Sequence, residues 1–212
     1  MERPIHPPQD QVHTAHSILD AAEFLFQRQG YHGTSMRQLA RFGGVTPAAI
    51  YNHYPSKEDL FIALLNARLP HRALALALEQ AQGDDADQLL RDGIRRMRDA
   101  MENRFDNLRL VFIEILEFEG RHLPVVLPGL LTPAQSFLER LRASDPLLRA
   151  WSPYFLLRLI GGAFAALAIS ASYLRAVDGM AVGPEEFDDL AGILVAGFTQ
   201  ARPVSSRAES PG

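Results

Sequence analysis

Apolar residues recur at intervals of three and four along nearly the whole chain of 212 residues. This spacing places them on one face of an α-helix, whereas the sequence lacks the strict apolar and polar alternation that is typical of strands. Hydrophobic residues make up 47% of the chain, which is enough to fill a core. The sequence therefore predicts an all-α protein whose amphipathic helices bury their apolar faces against one another.

Three helices are predicted near the N-terminus, and the second and third are short. The first runs from Gln11 to Gln29, and Gly30 ends it. Thr34 is predicted to cap the second helix, and Thr46 followed by Pro47 is predicted to begin the third. Two short helices joined by a glycine-containing turn are typical of a helix-turn-helix motif.

The third helix is predicted to be fixed at both ends and to expose polar and aromatic side chains. Ile50 is its expected anchor to the core, and residues 56–59, SKED, resemble a capping box that opens a fourth helix. The side chains left on its exposed faces are Tyr51, Asn52 and His53. Such a helix suits insertion into the major groove of DNA.

The charges of this region differ from those of the whole chain, whose net charge is −4. The window from Phe24 to Lys57 contains no Asp or Glu. Its cationic and histidine side chains are Arg28, His32, Arg37, Arg41, His53 and Lys57. A local basic patch on an acidic protein indicates a polyanionic partner such as nucleic acid, and the alternative is an ordinary solvated helix surface.

Residues 18–65 contain a series of constrained positions in a defined order. These are the aromatic-x-x-x-Gly end of the first helix, Thr34-Ser35, Leu39-Ala40, Gly44-Val45, Ile50-Tyr51, Tyr54 and residues 56–60, SKEDL. In these residues the chain resembles the DNA-binding domain of TetR-family transcriptional repressors. The resemblance covers under a quarter of the chain, and the remainder has only the family's length and helical character.

The resemblance implies an N-terminal three-helix helix-turn-helix DNA-binding domain, residues 1–55. A larger helical ligand-binding and dimerisation domain, residues 56–201, would follow. The last residues, 202–212, are rich in Pro and Ser, and we expect them to form a disordered tail.

The resemblance also implies which residues contact DNA. The predicted phosphate contacts are Thr34, Thr46, Tyr51, His53 and Lys57. Arg37 falls where some members place a base-reading arginine, and Pro47 and Ala48 lie where the recognition helix faces base edges. Ser35 and Asn52 complete the predicted set. Because Pro47 and Ala48 have little hydrogen-bonding capacity, we expect direct readout to rest on Arg37, Tyr51 and Asn52, with a contribution from DNA shape.

A purely structural role is the alternative for several of these residues. Arg37 and Arg41 would then form a solvated surface four residues apart on one helix. Tyr51 would pack within the small domain, and His53 would cap the end of its helix.

Five or six further helices are predicted after Ser56. The helix after Ser152-Pro153 carries an apolar seam formed by Leu157, Ile160, Phe164, Leu167, Ala171 and Leu174. The corresponding residues of the last helix are Phe187, Leu190, Leu194 and Phe198. We expect both helices to pair with their copies in a homodimer, as the resemblance also implies, which would place two reading heads roughly 34–36 Å apart on a palindromic operator. A monomer with both helices in one core is the alternative.

An effector site is predicted in this larger part. On a helical wheel of residues 108–120, Glu119 lies inside the apolar arc, whereas Glu114 and Glu117 lie outside it. A carboxylate is costly to bury unpaired, so Glu119 is a candidate ligand contact, and a helix end or an ion pair with arginine is the alternative. The candidate walls of the pocket are Phe105, Phe112, Trp151, Tyr154, Phe155 and Phe164, and a place in the core is the alternative for each.

The sequence carries no glycine-rich phosphate loop, nucleophile elbow or His-Glu-x-x-His motif. His13 and His16 share a helix face but lack a third metal ligand nearby. We therefore predict no enzyme, no metal and no cofactor. The predicted function is a ligand-responsive regulator, a repressor that binds its double-stranded operator as a homodimer and is released by a small, largely apolar effector. A helical adaptor that binds proteins and not DNA is the alternative.

The expected location follows from composition. The chain has no cysteine, which excludes disulfides and is compatible with the reducing cytoplasm. The first ten residues, MERPIHPPQD, lack the apolar run of a signal peptide. The longest uncharged stretch, Leu159 to Leu174, has 16 residues, short of the roughly 20 that a membrane span needs. We expect a cytoplasmic protein without a membrane segment.

Overall fold

The computed structural model describes residues 9–101, 107–173 and 182–200, so the predicted tail lies outside the described residues. All regular elements in these ranges are helices, which confirms the all-α class. They are α1 (Gln9–Gln29), α2 (Met36–Phe42), α3 (Pro47–His53), α4 (Lys57–Arg68), α5 (His71–Gln80), α6 (Ala86–Met101), α7 (Leu108–Phe118), α8 (Leu123–Val126), α9 (Pro128–Ser144), α10 (Pro153–Tyr173) and α11 (Pro184–Gln200). A 3-10 helix, Pro146–Ala150, precedes α10.

The predicted caps of α3 and α4 are confirmed. The Thr46 hydroxyl accepts a hydrogen bond from the Ala49 N–H at 3.1 Å, and Pro47 occupies the first helical position. The Ser56 hydroxyl accepts from the Asp59 N–H at 3.0 Å. Each hydroxyl satisfies a backbone donor that the first helical turn leaves without a partner.

The predicted cap of α2 is wrong by one residue. Ser35, and not Thr34, is the N-cap, and it forms a capping box with Gln38. Thr34 is 2% exposed, and its hydroxyl donates to the Gly30 carbonyl at 2.8 Å. The Thr34 hydroxyl therefore closes the turn before α2 and is not directed at the helix that follows.

The first of two compact units comprises the described residues up to Leu69 together with Asn107–Val126. Its fully buried apolar side chains are Ile18, Ala22, Phe26, Leu39, Ile50, Leu60, Phe61, Leu64, Leu65 and Leu110. At the centre, the rings of Phe26, Phe61 and Phe118 pack around Tyr31. Burial of one such side chain contributes about 1.5–3 kcal/mol, so this core holds α2 and α3 in place.

The edge of this unit does not coincide with the predicted domain boundary between residues 55 and 56. Phe61 and Leu65 of α4 lie in the same core as Ile50 of α3. Leu110 and Phe118 of α7 complete that core although they follow 40 residues or more later in the chain. One long and two short helices enclose too little apolar surface by themselves, and α4 and α7 supply the remainder.

The second unit comprises the described residues of 70–106 and those from Leu127 onward. Within it, α5 packs against α6 and α9, and α11 packs against α6. Gly93 of α6 permits a close approach of Phe137, because a Cβ at that position would lie 2.8 Å from a ring carbon. Arg140 of α9 donates to the carbonyl of Ala81 at the end of α5.

The apolar residues of α10 and α11 pack differently from the predicted interface seam. Ile160, Phe164 and Ala171 are buried within the second unit, as are Phe187 and Phe198 of α11. These side chains are therefore not available to a partner, and their assignment to the subunit interface is wrong. The uncovered face of α10 consists instead of Tyr154, Phe155, Arg158, Leu159, Gly161, Gly162, Ala165 and Ala166.

Two stretches of the described residues are long and apolar enough to cross a membrane, Lys57–Gln80 and Pro153–Ala171. In the most apolar 18-residue window, half of the residues are buried in the first stretch, but only 28% are buried in the second. Core helices of soluble proteins have the same length and composition. The second stretch is the main part of α10, whose apolar surface is thus largely uncovered in a single chain.

Candidate nucleic-acid interface

Seven of the ten predicted DNA contacts are exposed on α2, α3 and the residues before them. They are Ser35, Arg37, Thr46, Pro47, Ala48, Tyr51 and Asn52. Tyr51 is 53% exposed, so it does not pack in the core, whereas Ile50 beside it is fully buried as predicted. His53 and Lys57 are half-buried. The structure therefore presents one face of α3 to solvent and anchors it through the opposite face.

Six of the ten predicted contacts line one concave surface with a volume of about 630 Å³. They are Thr34, Ser35, Arg37, Pro47, Tyr51 and Lys57, and His32 and Met36 complete the lining. His32 and Met36 are absent from the predicted set. His32 could have been predicted because it lies in the acid-free window from Phe24 to Lys57, whereas no feature of the sequence indicated Met36.

The first turns of α2 and α3 contain no acidic residue, whereas the first turn of α4 contains Glu58 and Asp59. The positive ends of α2 and α3 are therefore not neutralised by their own side chains. Arg37 and Arg41 are exposed along α2 and add two cationic charges. This arrangement of cations, hydroxyls and helix ends can accept a phosphate backbone.

Lys57 makes internal bonds that the sequence did not indicate. Its ammonium donates to the carbonyls of Tyr31 at 2.9 Å and Thr34 at 2.8 Å, and it lies 4.1 Å from the centre of the Tyr31 ring. Burial lowers the pKa of Lys57, although the nearby Glu117 carboxylate opposes that shift. Lys57 thus holds the turn between α1 and α2 in addition to facing the concave surface.

Glu117 of α7 binds the same turn through two backbone groups. One carboxylate oxygen accepts from the Tyr31 N–H at 2.9 Å, and the other accepts from the His32 N–H at 2.8 Å. Hydrogen bonds to a charged acceptor are stronger than neutral ones. Carboxylate and ammonium therefore hold opposite polar groups of one turn, residues 31–34, which leads directly into α2.

A second carboxylate of α7 is fully buried. Glu114 lies 2.8 Å from Nδ1 of His122, and Nε2 of His122 lies 2.8 Å from Glu58 at the start of α4. Burial lowers the pKa of His122, but the hydrogen bonds to both carboxylates outweigh burial and raise it above 6.5. This triad connects α7, the residue before α8, and α4.

The predicted effector residues lie in different surroundings. Glu119 is exposed and adopts φ 57 just beyond the end of α7, so its predicted place on the apolar arc is wrong. The helix ends at Phe118, and Glu114 is the carboxylate that the core buries. Phe112 of α7 is half-buried, and Phe105 lies outside the described residues.

The remaining effector candidates belong to the second unit. The Trp151 ring stacks on Phe155 with centroids 5.2 Å apart, and its N–H donates to the Phe198 carbonyl at 3.2 Å. Phe164 is buried against Phe187, whereas Tyr154 is 65% exposed. Trp151 and Phe155 thus form one aromatic pair, and Phe164 belongs to a separate one.

In the part of the chain that the structure describes, no group of three or more His, Cys, Asp or Glu side chains is arranged to hold a metal ion. His13 and His16 lie on α1, and His16 has an interaction of its own. The exposed, acid-free surface on α2 and α3 remains the strongest candidate site. A short capped helix anchored by one apolar residue, preceded by another short helix, defines a helix-turn-helix protein.

Comparison with known proteins shows what the N-terminal helices are similar to. Residues 18–64 match the model of bacterial regulatory proteins of the tetR family. The uncharacterized HTH-type transcriptional regulator YvkB of Bacillus subtilis (strain 168) is 32% identical over 102 residues, which are 48% of this chain and 52% of that protein. The chain spans about half the length of the curated relatives it matches. These relatives are regulators and not enzymes.

Solved structures extend the similarity in fold to most of the chain. FadR of Bacillus subtilis, solved in complex with stearoyl-CoA, has a TM-score of 0.68 at 18% identity, covering 86% of this chain and 98% of that one. NalD, the secondary repressor of the MexAB-OprM multidrug efflux pump in Pseudomonas aeruginosa, has a TM-score of 0.64 at 26% identity, covering 89% and 98%. The larger helical part therefore also has the fold of TetR-family regulators.

Proposed function

We propose that this protein is a ligand-responsive transcriptional repressor of the cytoplasm that binds a palindromic DNA operator as a homodimer. The observation that carries the proposal is the exposed surface of Ser35, Arg37, Tyr51 and Asn52 on a TetR-family helix-turn-helix domain. Arg37 is the candidate base reader, since a guanidinium can bind guanine through two hydrogen bonds. Thr46 and His53 are the candidate phosphate contacts nearby, and Lys57 supports them by holding the turn before α2.

The homodimer is supported by the uncovered face of α10. Tyr154, Phe155 and Leu159 are exposed there, although large apolar side chains normally avoid water when they lie together. A Cβ at Gly162 would meet no other atom within 4 Å, so the backbone is open to close approach by a second helix. A two-fold pair of α10 helices would cover this surface.

Sedimentation tests the dimer with a matched pair of variants. Gly162→Leu adds bulk on the proposed interface, and Gly129→Leu adds the same bulk on α9, where a Cβ also meets no atom within 4 Å. We expect the wild type and Gly129→Leu to sediment as dimers and Gly162→Leu as a monomer. A wild-type species of 23.5 kDa would contradict the proposed dimer.

The proposed effector is a small, largely apolar molecule that binds the larger helical part. The support is comparative: FadR is solved with stearoyl-CoA, and NalD is named a repressor. Trp151 and Phe164, both in the second unit, are the aromatic candidates for its site. By linkage, the effector releases DNA only if it binds the DNA-free form more tightly.

Fluorescence anisotropy on DNA that flanks the protein's own gene, across a salt series, tests the function. Arg37→Ala and Tyr51→Ala are compared with Arg72→Ala, which removes the same charge from an exposed site on α5. We expect affinity to fall steeply with salt, and to fall further in the first two variants only. Absence of DNA binding by a folded dimer, on these duplexes and on a random-sequence library, would favour the adaptor and overturn the proposal.

A further inference from the structure

The turn between α1 and α2 is built around the side chain of Glu117. Gly30 begins the turn at φ 76, in the left-handed region, and a Cβ added there would lie 2.9 Å from the Glu117 carboxylate. The next two backbone N–H groups, those of Tyr31 and His32, both point at this carboxylate. A carboxylate that accepts two N–H groups fixes the direction of the peptide planes that carry them.

Three carbonyl groups in and next to the turn have side-chain donors. The Lys57 ammonium donates to the carbonyls of Tyr31 and Thr34, and the Thr34 hydroxyl donates to the Gly30 carbonyl. Ser35 follows at once as the N-cap of α2. The position of α2, and with it the exposed Arg37, therefore depends on a turn whose N–H groups face Glu117.

Glu117 does not belong to the helix-turn-helix sequence. It lies on the segment Asn107–Val126, which enters the first unit from the second and returns to the second after Val126. The carboxylate is thus the polar connection between that segment and the turn before α2.

The ion pair with His32 is a weaker explanation for the presence of Glu117. The His32 ring nitrogen is 3.9 Å from the carboxylate, and its side chain is 74% exposed. Exposed ion pairs of this kind contribute little to stability. The two backbone bonds are shorter, and the Glu117 side chain that makes them is only 22% exposed.

We propose that Glu117 is a positioning residue for DNA binding, through which the segment Asn107–Val126 holds the turn of residues 31–34 and sets the arrangement of α2 on DNA. The proposal rests on the proposed function. Loss of the carboxylate leaves two N–H groups without their acceptor, so the turn gains alternative conformations. Only the fraction of molecules with the correct turn then binds the operator, which lowers the apparent affinity.

The test compares Glu117→Ala and Glu117→Gln with Glu139→Gln, which removes one charge from an exposed site on α9. Affinity is measured by anisotropy on the best duplex from a random-sequence selection with the wild type, and on an unrelated duplex. We expect a loss of about tenfold on the selected duplex for Glu117→Ala, within the usual range of coupling between sites. Glu117→Gln retains one acceptor oxygen, so its affinity for the selected duplex is expected to lie between those of Glu117→Ala and the wild type. The affinity of the control is expected to match that of the wild type.

A second readout separates positioning from a general effect on folding. Amide hydrogen exchange at Tyr31 and His32 is expected to accelerate in both Glu117 variants, while the amides of the α4 core remain protected. The ratio of selected to unrelated affinity is expected to fall, because contact with phosphates persists while α2 loses its register. A folding defect would instead lower both affinities equally, in proportion to the unfolded fraction seen by circular dichroism.

The outcomes distinguish the two proposals. A wild type that binds no duplex contradicts the proposed function, and the exchange data on Tyr31 and His32 then decide only whether Glu117 holds the turn. A wild type that binds DNA, with Glu117 variants that match it in affinity ratio and in exchange, overturns the positioning role alone. If Glu117→Ala does not fold, the affinity ratio and the amide exchange of the more conservative Glu117→Gln test the positioning role.

Discussion

Glu114 and His122 are joined by two hydrogen bonds. The backbone N–H of His122 donates to one Glu114 oxygen at 2.6 Å, and Nδ1 of its ring lies 2.8 Å from the other. The second ring nitrogen faces Glu58 at 2.8 Å. Since neutral imidazole has only one N–H, two carboxylate partners favour the imidazolium form.

This relationship predicts that stability depends on pH through His122. The folded-state pKa of His122 lies above its unfolded value of 6.5, so the stabilisation is fully present below pH 6.5 and is lost as pH rises through the raised pKa. Urea unfolding at several pH values, with His122→Asn alongside, measures it. We expect the difference in unfolding free energy between the two proteins to be largest at acidic pH and to decrease as pH rises. A difference that does not change with pH would contradict the charged triad.

A pair of glycines separates backbone strain from the loss of the Glu117 bonds. Gly30 and Gly44 both have positive φ, 76 and 65, but a Cβ at Gly44 meets no atom within 4 Å. We expect Gly44→Ala to lower the unfolding free energy by roughly 1–2 kcal/mol, the cost of a left-handed L-residue. Gly30→Ala is expected to cost more, because its Cβ also displaces the carboxylate.

A double-mutant cycle checks that explanation by chemical denaturation. In a Glu117→Ala background, Gly30→Ala is expected to cost about the same as Gly44→Ala. If the excess cost at Gly30 persisted without the carboxylate, its origin would lie elsewhere in the turn.

The cap of α4 offers a change in stability that should leave DNA binding unaltered. Ser56→Ala removes the acceptor for the Asp59 N–H and is expected to lower the unfolding free energy by about 1 kcal/mol. Thermal unfolding monitored by circular dichroism measures the loss, and operator affinity at a temperature where both proteins are folded is expected to be unchanged. An affinity loss larger than the unfolded fraction explains would assign Ser56 a role at the interface.

Lys57 is expected to act mainly through the turn that it holds. Its ammonium already donates to two carbonyls, so Lys57→Met is expected to weaken DNA binding with little change in the slope of log affinity against log salt. Each phosphate contact contributes about 0.9 to that slope. A slope that falls by about one in Lys57→Met, as it would for the loss of a phosphate contact, would instead place the ammonium on DNA.

Local features of the fold could be predicted from the sequence because their causes are local. Thr46, Pro47 and Ser56 each act within three residues of themselves, and their roles in α3 and α4 are as predicted. Gly30 ends α1 at the predicted position. Ser35, and not Thr34, caps α2 because Thr34 is buried. The burial of Thr34 depends on its tertiary surroundings, so its neighbours in sequence could not indicate it.

The polar contacts that hold the turn before α2 and the start of α4 could not be predicted, because their partners lie far apart in the chain. Glu117 and Tyr31 are separated by 86 positions, and His122 and Glu58 by 64. A helical wheel ranks the faces of α7 by apolar content and therefore selected Glu119, whereas the core accepts Glu114 because His122 satisfies its charge. On α10, apolar content likewise did not distinguish side chains that face their own unit from those left uncovered.

The core of the first unit has a consequence for attempts to exchange DNA specificity between regulators. Leu110, Phe118 and Val126 are buried against the helix-turn-helix although they lie outside the 18–64 match. Residues 1–69 taken alone would expose that surface to water and lose the acceptor of the Tyr31 and His32 amides. The helix-turn-helix and α4 thus do not form an independent module. A chimaera that transfers them to another protein must also include Asn107–Val126 or a segment of the same shape.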